Sequence, residues 1–176
     1  MIKKYAFLLA LVVPLVTSCG GGGGGGGDFI GAANVSIDAS PTEFDTGDRT
    51  QVEIHISDVN DNGIALKVRF PDKLEYVPSS AILVVDGEEL DISPTVNSRK
   101  DQDVYLVFYL SQDLFGGDGS ASGTVSLQLE ATGDFSSNTI EADADVDDPL
   151  IGNNIEFDLE NPEFAPEDQV EVQVVG

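Results

Sequence analysis

Apolar and polar residues alternate along most of this chain, and turn-forming residues separate the alternating stretches. The clearest stretch is Thr50–Ser57, in which Val52, Ile54 and Ile56 are expected to face one way and the polar residues between them the other. Almost no segment repeats its apolar residues at helical spacing. The pattern predicts an all-β sandwich or barrel of about nine or ten strands.

Two strand pairs are predicted to form hairpins. The stretch just described is followed by the turn-forming residues 58–63 and then by Ile64–Phe70. Further along, Ala81–Val85 and Glu88–Ile92 flank Asp86-Gly87, a dipeptide that accepts the positive φ angles of a type I′ turn. Each pair is therefore expected to lie antiparallel within one sheet.

A later stretch, Val104–Leu110, is apolar on both faces and is predicted to be a central strand. Its second face is either covered by another segment or exposed as a contact surface, for which Tyr105 and Tyr109 are the candidates. Coverage is the favoured interpretation. The remaining predicted strands are Thr124–Ala131, Asn138–Val146, Asn154–Leu159 and Gln169–Val174.

The beginning of the chain has the layout of a secretory signal. Two lysines, Lys3 and Lys4, precede the apolar run Tyr5–Val16, which is too short to span a membrane and gives way to small residues. The only cysteine of the chain, Cys19, follows directly after Thr17 and Ser18.

Val16, Thr17, Ser18 and Cys19 resemble the lipobox of bacterial lipoproteins, although that family more often has Leu where Val16 stands. The resemblance implies cleavage before Cys19 and a membrane anchor through lipid on that cysteine. In a Gram-negative host, a Gly rather than an Asp after the cysteine implies the outer membrane. The glycine run at 20–27 would then be a flexible tether with a reach of about 15–17 Å.

These features predict three parts, which are a signal peptide at 1–18, the lipidated cysteine with its tether at 19–30, and one β-sandwich domain at 31–176. The full chain has 32 acidic and 8 basic residues, for a formal net charge of −24. Removing the signal peptide takes away two lysines and makes the charge −26. Such a charge disfavours nucleic acid and anionic lipid as partners and attracts cations and basic proteins.

The loop between the first two predicted strands is a candidate calcium site. Asp58, Asn60 and Asn62 provide alternating oxygen ligands, and a glycine follows at 63. Arg69 stands where the bidentate Glu of a calcium loop belongs, so another loop would have to lend a carboxylate, for which Asp134 is the candidate. The same residue types also form ordinary turns, and that interpretation is favoured.

Other candidate chemistry is sparse. The only histidine, His55, is on the polar face of its strand, and no catalytic residue is assigned. A second acidic run, made of Asp143, Asp145, Asp147 and Asp148, is more typical of a solvated strand face than of a metal site.

Over residues 47–174, the order of short motifs resembles the immunoglobulin-like extracellular repeat domain of bacterial surface proteins, with a cohesin-like sandwich as the neighbouring alternative. The motifs are Asn62-Gly63, Phe70-Pro71, Leu74-Glu75-Tyr76-Val77, Ser79-Ser80, Gly123, Asp148-Pro149 and Asn153-Asn154. The resemblance implies an immunoglobulin-like antiparallel β-sandwich. It also implies structural spacing or protein binding rather than catalysis.

The sequence therefore predicts a lipid-anchored, non-enzymatic β-sandwich of the cell envelope that acts as a structural or protein-interaction module. The expected partner is another envelope or extracellular protein. A calcium-dependent adhesion or ligand-binding module is the alternative.

Overall fold

The computed structural model describes residues 33–59, 63–116, 121–145, 160 and 164–176. These residues form twelve β-strands and one 3₁₀ turn at Gln112–Phe115, which confirms the all-β fold class with more strands than predicted. The predicted strand at 154–159 lies outside the described residues. The strands are β1 (Asn34–Ser40), β2 (Glu43–Asp45), β3 (Arg49–Val59), β4 (Ile64–Pro71), β5 (Leu74–Tyr76), β6 (Ile82–Val85), β7 (Glu88–Asp91), β8 (Val96–Lys100), β9 (Asp103–Leu110), β10 (Ala121–Ala131), β11 (Phe135–Asp145) and β12 (Asp168–Val175).

The strands build two sheets that pack as a sandwich. The first sheet has the order β1-β3-β10-β6-β7, and β5 also pairs with β10. The second sheet has the order β2-β12-β11-β4-β9-β8. The described strand pairs are antiparallel except for β2 with β12, which is parallel. The two-sheet sandwich agrees with the predicted architecture.

The core lies between the sheets and follows the alternation in the sequence. In β3, Val52 and Ile54 are fully buried, while the alternating residues Gln51 and Glu53 are exposed. The inward side chains of β10 are likewise buried, and the second sheet contributes large side chains such as Phe108. Burying apolar side chains stabilises a sandwich by about 25 cal/mol per Å² removed from water.

The predicted pairing of β3 with β4 is wrong. The structure pairs β3 with β1 and β10 in the first sheet, whereas β4 pairs with β11 and β9 in the second. The chain therefore crosses from one sheet to the other between Val59 and Ile64. Both edges of β3 are already occupied by other strands, so no edge remains for β4.

The second predicted hairpin is confirmed. In the register of β6 and β7, Val85 lies opposite Glu88, so the loop contains only two residues. Those residues, Asp86 and Gly87, have φ angles of 52° and 83°. Two successive positive φ angles are the requirement of a type I′ turn, and the local sequence alone was sufficient to predict it.

The sequence did not predict β1, β2, β5 and β8. Two of them, β2 and β5, have three residues each, which is too few to show alternation. In β8, the sequence from Val96 to Lys100 is mostly polar, and its strand conformation depends on pairing with β9. Among the described residues, none forms a helix long and apolar enough to cross a lipid bilayer.

Candidate functional site

Asp58 and Asp134 lie at opposite ends of the sandwich. Asp58 is near the end of β3, where Val59 pairs with Ala121. Asp134 follows β10, whose last residues pair with the beginning of β3 at Arg49. The 11 residues of β3 separate the two ends by about 33 Å at 3.3 Å per residue. The prediction that Asp134 completes a calcium site with Asp58 is therefore wrong, because the antiparallel register places the two loops apart.

The loop that follows Asp58 is only partly described. Asp58 has a left-handed φ of 58°, and its carboxylate accepts a hydrogen bond from the Asn34 side chain. Asn60 and Asn62 lie outside the described residues. In the described part of the chain, no three His, Cys, Asp or Glu side chains come together as a metal site. Calcium binding at this loop stays a prediction.

Gly63 has a structural role that is independent of calcium. Its φ is +81°, a conformation that residues with side chains adopt only at a cost. A Cβ at this position would also lie 2.3 Å from the backbone oxygen of Leu110. The close approach of the crossing chain to the end of β9 therefore requires a glycine at this position.

The outer face of the second sheet, which turns away from the core, is covered by the chain itself. Tyr105 is only 5% exposed, and its ring meets the Phe164 ring edge-on with the centroids 6.1 Å apart. Coverage, the favoured interpretation of this face, is thus correct for Tyr105, and the alternative that Tyr105 is a contact surface is wrong. Tyr109 is half-buried, and the structure does not test it as a contact residue.

A ladder of charged pairs crosses β4 and β11 on this covered face. Arg69 Nε lies 2.5 Å from Glu141 Oε2, and the guanidinium is 4.5 Å from the centre of the Phe164 ring. The hydrogen bond that Arg69 donates to Glu141 raises the pKa of Arg69, against the opposing effect of burial. This side chain is therefore held as a cation between a carboxylate and an aromatic ring.

The next pair in the ladder is almost completely buried. Lys67 Nζ lies 3.5 Å from Asp143 Oδ2, and the two side chains are 7% and 4% exposed. The Ala165 backbone N–H also donates to Asp143 Oδ2 at 3.1 Å. The prediction of a solvated strand face is wrong for Asp143, because residues after β11 in the chain lie over it. The sequence contains a signal for these buried pairs that the prediction missed. Lys67 and Arg69, two of only eight basic residues, alternate within an otherwise apolar strand.

Asp103, at the beginning of β9, is close to this ladder. Burial raises the pKa of its carboxyl, and the charges of Glu141, Asp101 and Asp72 act in the same direction, while Arg69 opposes them. A raised pKa in the folded state means that ionised Asp103 lowers stability. That cost is present at neutral pH and disappears as the pH falls through the raised pKa towards the unfolded value.

His55 is on the solvent side of β3, as its sequence pattern predicts. Its side chain is 50% exposed, and its Nδ1 lies 3.0 Å from the hydroxyl of Thr124. Its Nε2 is 3.9 Å from Asp38 Oδ2. The ring is therefore an exposed side chain that contacts residues of the two neighbouring strands, β10 and β1.

Comparisons with known proteins establish the fold. No family model matches this sequence, and no characterised protein sequence matches it. Among solved structures, the N-terminal domain of an adhesin from Streptococcus gordonii matches with a TM-score of 0.54 and 12% identity, over 81% of this chain and 32% of that one. A backbone pilin of Streptococcus pyogenes matches with a TM-score of 0.51 and 10% identity, over 81% of this chain and 36% of that one.

A cohesin from the archaeon Archaeoglobus fulgidus matches more loosely, with a TM-score of 0.40 and 16% identity over 82% of this chain and 93% of that one. The chain spans about a third of the length of the pilin and the adhesin. At these identities the shared property is the fold. This protein is therefore an all-β sandwich of the architecture found in domains of bacterial surface proteins.

Proposed function

We propose that the protein is a lipid-anchored, non-enzymatic module of the bacterial cell envelope that binds another protein or spaces one from the membrane. The observation that carries this proposal is the sandwich itself, since a pilin and an adhesin are among the proteins whose structures match it in shape. A backbone pilin and an adhesin are both structural or binding proteins, and the proposal carries that kind of role to this chain.

The side chains support a binding role rather than catalysis. Two pairs of charged residues in the second sheet are joined across strands β4 and β11, Arg69 with Glu141 and Lys67 with Asp143. His55 is exposed, and in the part of the chain that the structure describes its ring contacts the Thr124 hydroxyl, which belongs to a regular strand. A Thr-His pair without a buried acid to orient the ring is a poor base for hydrolysis.

The anchor is proposed from the sequence before residue 33, which lies outside the described residues. In that part of the chain, Val16, Thr17 and Ser18 precede Cys19, and glycine occupies positions 20–27. The outer membrane of a Gram-negative bacterium is the proposed location. The acidic charge of the domain would keep it off an anionic membrane surface and favour basic protein partners.

We expect Cys19→Ser to release the protein from the membrane, because the substitution removes the thiol that carries the lipid. The measurement is the distribution of the full-length chain between membrane and soluble fractions, with incorporation of an alkyne-labelled fatty acid as a second readout. Thr17→Ser, which keeps a small residue before the cysteine, is the matched control and should stay membrane-bound and labelled. Membrane retention of the Cys19 variant would refute the anchor.

The binding role is tested by crosslinking in intact cells that express the full-length protein. A reproducible covalent adduct with one envelope or extracellular protein is the expected result. Turnover of any substrate in a broad hydrolase screen would contradict the non-enzymatic assignment, and crosslinks to lipid alone would contradict the protein-binding role.

A second candidate is calcium-dependent adhesion through the loop that begins at Asp58. The observation in its favour is that Asp58, one residue before the end of β3, has a left-handed φ of 58° and is followed in the sequence by Asn60 and Asn62. Extracellular calcium modules bind with Kd of about 0.1–1 mM, so about 10 mM calcium should raise the thermal midpoint by about 5 °C.

The matched experiment compares thermal melts of the full-length protein in calcium and in chelator, for the wild type, Asp58→Ala and Asp134→Ala. If the loop binds calcium, the rise is lost in the Asp58 variant and kept in the Asp134 variant, because Asp134 lies at the other end of the sandwich. An equal midpoint in calcium and chelator would reduce the loop to an ordinary turn.

A further inference from the structure

A groove runs along the β7 edge of the first sheet. It lies between the β6–β7 hairpin and the 3₁₀ turn at Gln112–Phe115 and has a volume of ≈ 550 Å³. Its apolar lining comes from both sides, and its residues are Leu83, Val85, Leu90 and Leu114. A groove of this volume is large enough to hold one or two side chains of a partner.

Leu90 marks the part of the groove that the fold leaves uncovered. In the hairpin register, Leu90 lies opposite Leu83, so the two side chains share one face of the sheet. Leu83 is only 1% exposed and belongs to the core, whereas Leu90 is 45% exposed. Of the large apolar side chains that the structure describes, only Leu90 and Val175 are classed as exposed. The apolar face therefore continues outward past the end of the core.

The rim of the groove is acidic. Four acidic residues line it, which are Asp86, Glu88, Glu89 and Asp113. The basic residues after the signal segment are all elsewhere on the described chain, and none of them lines the groove; they are Arg49, Lys67, Arg69, Lys73, Arg99 and Lys100. An apolar floor with four acidic residues and no basic residue around it is complementary to an apolar side chain flanked by cations.

The edge itself can offer backbone hydrogen bonds. β7 is the last strand of the first sheet, and its described pairing is with β6. The outer N–H and C=O groups of an edge strand are a template for an added strand. Its residues Glu88, Glu89, Leu90 and Asp91 are all exposed.

We propose that this groove docks an extended, basic segment of a partner protein, which adds alongside β7, inserts one large apolar side chain between Leu90 and Leu114, and pairs its Lys or Arg residues with the acidic rim. The inference rests on the proposed protein-binding function and names the surface that performs it. A second copy of this chain is disfavoured as the occupant because both surfaces would be acidic, and the formal charge of each chain is −24. Anionic lipid is disfavoured for the same reason.

The test uses the full-length protein and synthetic seven-residue peptides in which Lys alternates with Val, Leu or Phe. Matched peptides carry Glu in place of Lys. Fluorescence anisotropy should show binding of the lysine peptides, weakening as salt is raised, and no binding of the glutamate peptides.

Two variants locate the binding, each with a matched control. Leu90→Asn should weaken the lysine peptides about tenfold, while Val175→Asn, at the other exposed apolar residue, should leave them unchanged. Glu88→Lys with Glu89→Lys should weaken them about tenfold as well. The control is Glu43→Lys with Asp45→Lys, an equal charge change on β2, the edge strand of the second sheet.

Equal binding of lysine and glutamate peptides would overturn the proposal, as would loss of binding in the control variants to the same degree. Self-association that Leu90→Asn abolishes would also overturn it, by identifying a second copy as the occupant.

If crosslinking in cells captures a protein partner but the groove variants keep that crosslink, the binding function stands and the groove assignment fails. If no protein partner is captured while the lysine peptides select the groove, the groove assignment stands and the proposed function fails.

Discussion

Replacing Asp143 by Ala is expected to lower the free energy of unfolding by about 3–5 kcal/mol, because it leaves the buried Lys67 ammonium without its carboxylate. The partner distance is 3.5 Å, and both side chains are almost completely removed from solvent. The substitution also removes the acceptor of the Ala165 N–H. For a domain of this size, the loss corresponds to about 10 °C or more in thermal midpoint. Urea unfolding followed by circular dichroism measures it.

Two further variants distinguish the loss of the buried ion pair from a general effect of removing a charge. Glu130→Ala breaks an ion pair with Arg49 whose side chains are 40% and 53% exposed, and it should cost about 1 kcal/mol or less. The double variant Lys67→Met with Asp143→Leu removes both buried charges and should recover most of the loss of the single variant. An Asp143→Ala effect no larger than that of Glu130→Ala would show that the pair is solvated in solution.

The second large effect is expected for Gly63→Ala, with a loss of about 3 kcal/mol or more. Part of the cost is backbone strain at φ +81°, which amounts to about 1–2 kcal/mol for a residue with a Cβ. The rest comes from the contact with the Leu110 backbone oxygen, which cannot move as a flexible side chain would. Urea unfolding in chelator measures the loss without any contribution from calcium.

Gly87→Ala is the matched control for Gly63→Ala. Its φ of +83° is nearly the same, but a Cβ at Gly87 would meet no atom within 4 Å. It should therefore lose only the strain energy, about 1–2 kcal/mol. Equal losses of stability for the two variants would mean that the chain around residue 63 moves away from β9 to accommodate the methyl group. The close packing of Gly63 on β9 would then be unimportant for stability.

The features predicted correctly depend on residues close together in sequence. Alternation assigned the inward side chains of β3, such as Val52 and Ile54, because the side-chain period of a strand is fixed by its backbone. The type I′ turn at Asp86 and Gly87 follows from local φ preferences in the same way.

The features predicted wrongly depend on distant parts of the chain. Residues 58–63 have good turn chemistry, but that chemistry does not determine which sheet receives the next strand. The burial of Tyr105 and Asp143 is produced by Phe164 and Ala165, which are at least 20 residues further along the chain than Asp143. No local pattern shows that such a segment will lie over a strand, so a covered face and an exposed one look alike in sequence.

If the protein is anchored as proposed, the direction in which the chain enters the sandwich defines which end of the domain faces the membrane. β1 begins at Asn34 beside Ser57, at the same end as the Asp86-Gly87 turn, since Val84 lies opposite Thr124 on β10 and Thr124 lies opposite His55 on β3. The acidic groove therefore opens near the end at which a tether from Cys19 would arrive. If the proposed anchor holds the domain through the glycine run, whose random-chain reach is about 15–17 Å, a partner for this groove would approach through the space between domain and bilayer. The length of the glycine run would then act as a size filter, admitting a slender basic segment and excluding a folded domain.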